Sequence, residues 1–227
     1  MKAAFTLTQK QLSPFLLGAA LKRPVFIWGA PGIGKSALVE QFAASVGIPC
    51  VSLLGSQLAP EDIAGVPQIQ GDVSRFFPPA MIARKKPYCL FLDELNACKT
   101  EVQKSMYSLI HEHRVGDYLM PKGSIVIAAG NREQDSAIVK PMSSALINRM
   151  IHVTLTVSTK DWLEWAHESA IHPVVVEYIS LRPSQLWSPP PKSQEPFSTP
   201  RSWHMLSDAL HEFGEKITAD FLQMLAF

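Results

Sequence analysis

The chain has 227 residues, of which 47% are hydrophobic and 18% charged, with a formal net charge of +1. That length supports one α/β domain with a small second unit, and near-neutrality disfavours a protein that engages polyanions over its whole surface. Cys50, Cys89 and Cys98 follow no C-x-x-C spacing and read as reduced, mostly buried thiols, and no apolar run approaches the ~20 residues of a membrane span. The expected compartment is the cytoplasm. Met1-Lys2 and the apolar 15–21 stretch imitate a secretory leader. Thr8-Gln9-Lys10-Gln11, however, is a capping box, and cleavage after Ala20 would cut just before the first core strand. Residues 8–22 therefore predict an N-terminal helix of the folded domain.

The apolar run Val25-Phe26-Ile27-Trp28 leads into Gly29-Ala30-Pro31-Gly32-Ile33-Gly34-Lys35-Ser36, a full match to G-x-x-x-x-G-K-[ST]. Glycines at 29, 32 and 34 allow torsions and close approaches that let successive N–H groups turn onto phosphate. Lys35 is placed to reach β- and γ-phosphates, and the Ser36 hydroxyl to ligate Mg²⁺. Leu38, Val39, Phe42, Ala43 and Val46 form one stripe of the following helix, whose positive end faces the nucleotide. This predicts a nucleoside triphosphate site.

Ile48–Leu54 reads as a second buried strand. From Gly55 to Pro79 the pattern breaks up, and Gly71-Asp72 between two short apolar runs predicts a surface β-hairpin. Pro87–Glu94 is a buried strand ending in two carboxylates, with Asp93 assigned to Mg²⁺ and Glu94 to polarising the attacking water. Arg84-Lys85-Lys86 reads as solvated charge at a helix end. Thr100 is expected to cap a helix bearing Val102, Met106, Leu109 and Ile110, followed by a turn at Gly116-Asp117. His111-Glu112-His113 lacks the H-E-x-x-H spacing and reads as a solvated helix end.

Ser124–Ala129 is a third core strand after the P-loop, and Asn131 follows it at the edge where open α/β sheets hold ligands. Leu146–Arg149 closes a short helix before a last strand over Met150–Leu155. From Ser158 the pattern is helical: a capped helix with Trp162, Leu163, Trp165 and Ala166, then one over Pro173–Leu181. Six prolines between 183 and 200 predict an extended linker. Thr199-Pro200 restarts a helix whose buried stripe is Trp203, Leu206, Leu210 and Phe213. The expected domains are 1–157, a P-loop α/β nucleotide-binding core with a parallel sheet, and 158–227, an all-helical lid.

With these pieces placed, the chain resembles AAA+ ATPases of the MoxR-like group over most of residues 5–213. Gly29–Ser36 matches the Walker A motif and Leu90–Glu94 the Walker B. Asp93-Glu94-Leu95-Asn96 with Gln103 and Glu112–Val115 resembles the group's D-E-[IL]-N helix and the strand turn after it. Pro60-Glu61-Asp62-Ile63-Ala64-Gly65 is similar to its P-x-D-[IL]-x-G loop. The resemblance implies ATP and Mg²⁺ as ligands, with Gly29–Ser36 and Ala37 contacting the nucleotide. It puts Asn131 at the sensor-1 position, Arg149 at the arginine finger and Arg201 at the sensor-2 arginine. Departures are Ala97, where the group often has Arg, and the polar Arg132 after Asn131. Phe221-Leu222-Gln223-Met224-Leu225 reads as an incomplete final helix.

A ring-forming homo-oligomer, a hexamer by resemblance, is the implied state. Its partner would be a protein client or a protein with a von Willebrand factor A domain. The 62–77 insertion, with Ile63, Val66, Phe76 and Phe77, is the expected contact surface. Two alternatives stay open: a nucleotide-driven DNA motor or loader, although no zinc pattern or basic stripe supports nucleic-acid binding, and a P-loop kinase. The absence of N-K-x-D disfavours a GTPase.

Overall fold

The computed structural model describes residues 5–132, 141–191 and 195–214. Six parallel strands form the central sheet: β1 (Phe5–Leu7), β2 (Val25–Trp28), β3 (Cys50–Leu54), β6 (Cys89–Asp93), β9 (Ile125–Gly130) and β10 (Ile151–Leu155). Their spatial order is β1–β10–β2–β9–β6–β3. β9 lies in the middle and is buried along its whole length, which is why Ile125-Val126-Ile127-Ala128-Ala129-Gly130 is continuously apolar instead of alternating.

The strand pleat sorts β2 between two cores. Val25 and Ile27 face α1 (Gln9–Ala19) and α2 (Lys35–Ser45), packing with Leu12, Leu16, Val39 and Phe42. Phe26 faces the opposite layer, with Val102, Met106, Leu109, Ile110 and Leu146. Those side chains come from α4 (Thr100–Ser105), α5 (Tyr107–Glu112) and α6 (Ser144–Ile147), with Met106 at the junction of α4 and α5. Two antiparallel hairpins stand apart from the sheet: β4 (Val66–Gln70) with β5 (Val73–Phe77), and β7 (Arg114–Val115) with β8 (Tyr118–Leu119). The remaining short helix, α3 (Glu61–Ala64), precedes the first of these.

Beyond the sheet, α7 (Thr159–Glu168), α8 (Pro173–Leu181) and α9 (Pro200–Phe213) enclose a third core of Trp162, Ala166, Val175, Ile179, Leu186 and Leu210. Ser158 caps α7 by accepting the Asp161 N–H, and Thr199 caps α9 by accepting the Ser202 N–H, with Pro200 in the first turn.

Several expectations are corrected. The 100–112 helix is broken at Met106 into α4 and α5, and Lys99, not Thr100, occupies the cap position. No helix ends at Arg84-Lys85-Lys86; the chain turns there, with Arg84 lying over the Tyr88 ring and donating to the Met81 carbonyl. Phe213 is not part of a buried stripe but 47% exposed, because Ser207 and Leu210 take the inward positions of α9. Ile63 is fully buried in the core and lends nothing to the insertion's surface. The thiols are mostly buried, as expected: Cys89 and Cys98 are buried and Cys50 is half-buried. β1, which pairs with the C-terminal strand β10, went unread. The run 221–225 lies outside the described residues.

Thr199→Ala should lower stability by about 1 kcal/mol through loss of the α9 cap. A urea titration of the two proteins checks this, and an unchanged midpoint would show that the cap is redundant with Pro200.

A candidate nucleotide site at the ends of β2, β6 and β9

β2, β6 and β9 are parallel and end side by side, so the loops leaving Trp28, Asp93 and Gly130 share one edge of the sheet. The Gly29 N–H donates to the Gly130 carbonyl at 3.2 Å, tying the first of these loops to the last. Gly32 and Gly34 both have positive φ, at 75° and 92°. A Cβ on Gly32 would stand 2.8 Å from Thr199 atoms, so the loop's close fit against α9 also needs glycine there. The Arg201 N–H donates to the Gly32 carbonyl at 3.1 Å, which fixes the start of α9 on the loop.

Lys35 opens α2 and is buried, an unusual place for an ammonium. Its Nζ donates to the carbonyls of Gly29 and Ala30, both at 2.8 Å, and to Asn131 Oδ1 at 2.9 Å. Those acceptors offset the loss of water around the charge. Ser36 Oγ donates to Asp93 Oδ2 at 2.6 Å, bringing a hydroxyl and a carboxylate together beside the loop. Glu94 has a left-handed backbone, φ 53°, uncommon outside glycine. Its N–H donates to Asp93 Oδ1 and its Oε2 accepts the Ser56 hydroxyl at 2.6 Å, so two local bonds hold that conformation.

Sequence reasoning gave no role to Asn96, read only within the D-E-L-N run, and passed over Ser56. Asn96 is buried and donates from Nδ2 to the Asn131 carbonyl at 2.7 Å, setting the strand end that carries Asn131. Its buried position opposite Gly130 follows from the sheet, not from any local pattern. Ser56 had no sequence signal; only the pairing of β3 with β6 brings it to Glu94. Arg149 is not at its own P-loop. It lies two residues before β10, at the opposite end of the strands, donating to the Ala145 carbonyl at 2.8 Å and lying over the Tyr107 ring. The Tyr107 hydroxyl in turn bonds Ser143, the α6 cap.

Next to the loop is a cleft of about 680 Å³ between α1, α2, α7 and α9, lined by Gly32, Gly34, Ser36, Ala37, Trp162 and Arg201 among others. Its far wall is joined by the Lys10 N–H to Asp161 Oδ2 at 3.1 Å and by Lys10 Nζ to Glu164 at 2.8 Å. The second pair is largely exposed and contributes little. Burial pushes the Asp161 carboxyl up, but hydrogen bonds from Thr8, the Lys10 backbone and Ser158 outweigh it and hold it below the usual carboxylate range. Among the described residues no group of three or more His, Cys, Asp or Glu is placed to hold a metal ion. None of the described helices is long and apolar enough to cross a membrane.

A glycine loop between a parallel strand and a helix, with a buried Lys held by the loop's own carbonyls and a Ser hydroxyl bonded to a strand-end Asp, defines a P-loop nucleotide-binding α/β protein. The AAA domain (dynein-related subfamily) matches residues 24–150, more than half of the chain, and the protein belongs to that family of ATPases. It is 32% identical over 138 residues to the ATP-dependent zinc metalloprotease FtsH of Ralstonia pickettii, covering 55% of this chain and 18% of FtsH. It is 25% identical over 152 residues to the proteasome-activating nucleotidase of Methanosarcina mazei, covering 61% of this chain and 34% of that protein. The chain thus spans about a fifth to a third of the length of these relatives. The RuvB Holliday junction branch migration motor of Thermotoga maritima superposes with a TM-score of 0.59 at 18% identity, over 96% of this chain and 67% of RuvB. That likeness is one of fold.

The depressed Asp161 carboxyl gives a pH signature. Its contribution to stability is complete above the ordinary carboxylate value of about 3.9 and is lost as pH falls through the lower folded value. Between about pH 5 and pH 2, Asp161→Asn should flatten part of the acid limb of a denaturation profile. Identical limbs would show that Asp161 titrates as it does in the unfolded chain.

Proposed function

We propose that the protein is an ATP-hydrolysing, ring-forming ATPase of MoxR-like type that remodels or activates a protein partner in the cytoplasm. One observation carries the catalytic part: the buried Lys35 ammonium, held among Gly29, Ala30 and Asn131 oxygens, beside the Ser36–Asp93 pair. In this reading the backbone N–H groups of the 29–37 loop, Pro31 apart, cradle the phosphates, and Lys35 exchanges carbonyl partners for β- and γ-phosphate oxygens. The cleft between α1, α2, α7 and α9 takes the nucleoside, and the helices from Ser158 onward act as a lid.

Ser36 and Asp93 suit Mg²⁺, because a hydroxyl and a carboxylate oxygen converge and this cation takes few protein oxygens, keeping the rest of its shell as water. When bound it neutralises charge shared by the β- and γ-phosphates. Glu94 takes a proton from the attacking water as its oxygen bonds to the γ-phosphorus and ADP leaves, and Ser56 orients that carboxylate. Asn131, set by Asn96, orients the water and the γ-phosphate.

Arg201 would reach the phosphates from the lid, since its backbone is bonded to the loop. Arg149 lies at the far end of the strands and would serve a neighbouring subunit's nucleotide, which is the reason for proposing a homo-oligomer. A hexamer follows from resemblance. The likeness to RuvB concerns fold and gives a DNA motor no separate support.

Lys35→Ala should abolish ATP binding, whereas Glu94→Gln should bind ATP and turn over slower by about 10²-fold or more. Equilibrium binding and phosphate release separate these outcomes. Normal turnover in Glu94→Gln would remove it from catalysis.

The hairpin β4–β5 is the proposed contact surface for the client or a von Willebrand factor A domain partner. All of its residues are exposed, including Val66, Val73, Phe76 and Phe77, and Ile69 is 85% exposed. Replacing Val66–Gly71 by a short Gly-Ser turn should leave basal hydrolysis near normal and abolish stimulation by the partner. Equal stimulation of the shortened protein would exclude the hairpin as that surface.

A further inference from the structure

His152, in β10, joins two parts of the proposed machinery that no other described side chain bridges in the same way. The indole Nε1–H of Trp28 donates to His152 Nδ1 at 3.0 Å, and His152 Nε2 lies 2.8 Å from the Ile147 carbonyl. An indole N–H only donates and a carbonyl only accepts. In this geometry Nδ1 accepts and Nε2–H donates, so both ring nitrogens are used. Phe26, Trp28 and His152 form one group on the same face of β2 and β10, with ring centroids 4.4, 5.5 and 6.0 Å apart.

Each end of this link is itself anchored. Trp28 is the last residue before Gly29, whose carbonyl accepts from Lys35. A Cβ on Gly130 would stand 2.7 Å from Phe26 Cζ, so the same aromatic group supports the strand end leading to Asn131. Ile147 is the last residue of α6, two before Arg149, and Arg149 is held to α6 through Ala145 and over Tyr107. A shift of the P-loop's first residue thus reaches the arginine-bearing turn through two directional hydrogen bonds and a packed ring.

We propose that His152 is a positioning residue that couples the state of a subunit's own nucleotide loop to the placement of its Arg149. The inference rests on the oligomeric reading of Arg149 given above. His152→Phe keeps a packed ring but removes both hydrogen bonds, and His152→Gln supplies one acceptor and one donor in their place.

The test compares kcat, ATP affinity and assembly for the intact protein, Arg149→Ala, His152→Phe, His152→Gln and the double variant Arg149→Ala/His152→Phe. His152→Phe should lower kcat about tenfold while leaving ATP affinity within about twofold and the oligomer, by light scattering, unchanged. His152→Gln should recover most of the loss. In the Arg149→Ala background the Phe substitution should have little further effect, because the interaction it serves is already gone. Trp28→Phe removes the same bond from the other side and should show the same kcat loss; it stands in if His152→Phe does not fold.

Full turnover in Arg149→Ala would overturn the oligomeric reading and this inference together. Loss of turnover in Arg149→Ala with normal kcat in both His152→Phe and Trp28→Phe would overturn the inference alone. So would a full additional loss in the double variant, or a loss of ATP affinity in proportion to kcat, since either shows His152 acting without Arg149.

Discussion

A buried ammonium is the constraint around which the site is built. Lys35 carries a full charge into a region where it needs oxygen on every side, and the chain supplies that oxygen from two strand ends. Gly29 and Ala30 follow β2, and Asn131 follows β9, so these strands must be neighbours for the charge to be tolerated. The glycine loop, the helix beginning at Lys35 and the central sheet order are thus one requirement. Ser36, the next residue on α2, then falls beside Asp93 at the end of β6.

The order of the strands also divides the labour of the molecule. The Lys35–Asn131 and Ser36–Asp93 contacts at the P-loop join the ends of β2, β6 and β9, the middle of the sheet. Arg149 lies on the connection into β10, at the opposite end of the strands, held by α6 and Tyr107. An arginine fixed there can act on a nucleotide only if another molecule presents one. The helices α7–α9 have a core of their own and are tied to the loop through Arg201, Gly32 and Thr199.

Much of this was legible in the sequence because the chemistry is local. The G-x-x-x-x-G-K-S run, the strand ending in Asp93-Glu94 and the capped starts at Thr8, Ser158 and Thr199 each carry their signal within a few residues. The turn at Gly71-Asp72 was readable for the same reason. What was not legible depends on distant partners. Ser56 reaches Glu94 only because β3 pairs with β6, and Asn96 reaches Asn131 only because β6 pairs with β9. Phe213 and Ile63 illustrate the converse: periodicity placed the first inside and composition placed the second outside, and packing reversed both. Met106 sits within an apolar stripe continuous enough to hide the break between α4 and α5.

The pairing of Phe5–Leu7 with Val153–Leu155 brings the two ends of the sheet-forming chain together, with β10 seated between β1 and β2. During synthesis the first strand emerges long before the strand it must bind, and β2 keeps one side of its backbone unpaired until β10 arrives. Contacts so distant in sequence slow folding, and an open parallel edge of Val25-Phe26-Ile27-Trp28 is apolar enough to recruit another nascent chain. The period between completion of β9 and insertion of β10 is therefore when this protein is most exposed to misassembly: α1 can cover the side-chain face of Val25 and Ile27, but only β10 closes the backbone edge of β2.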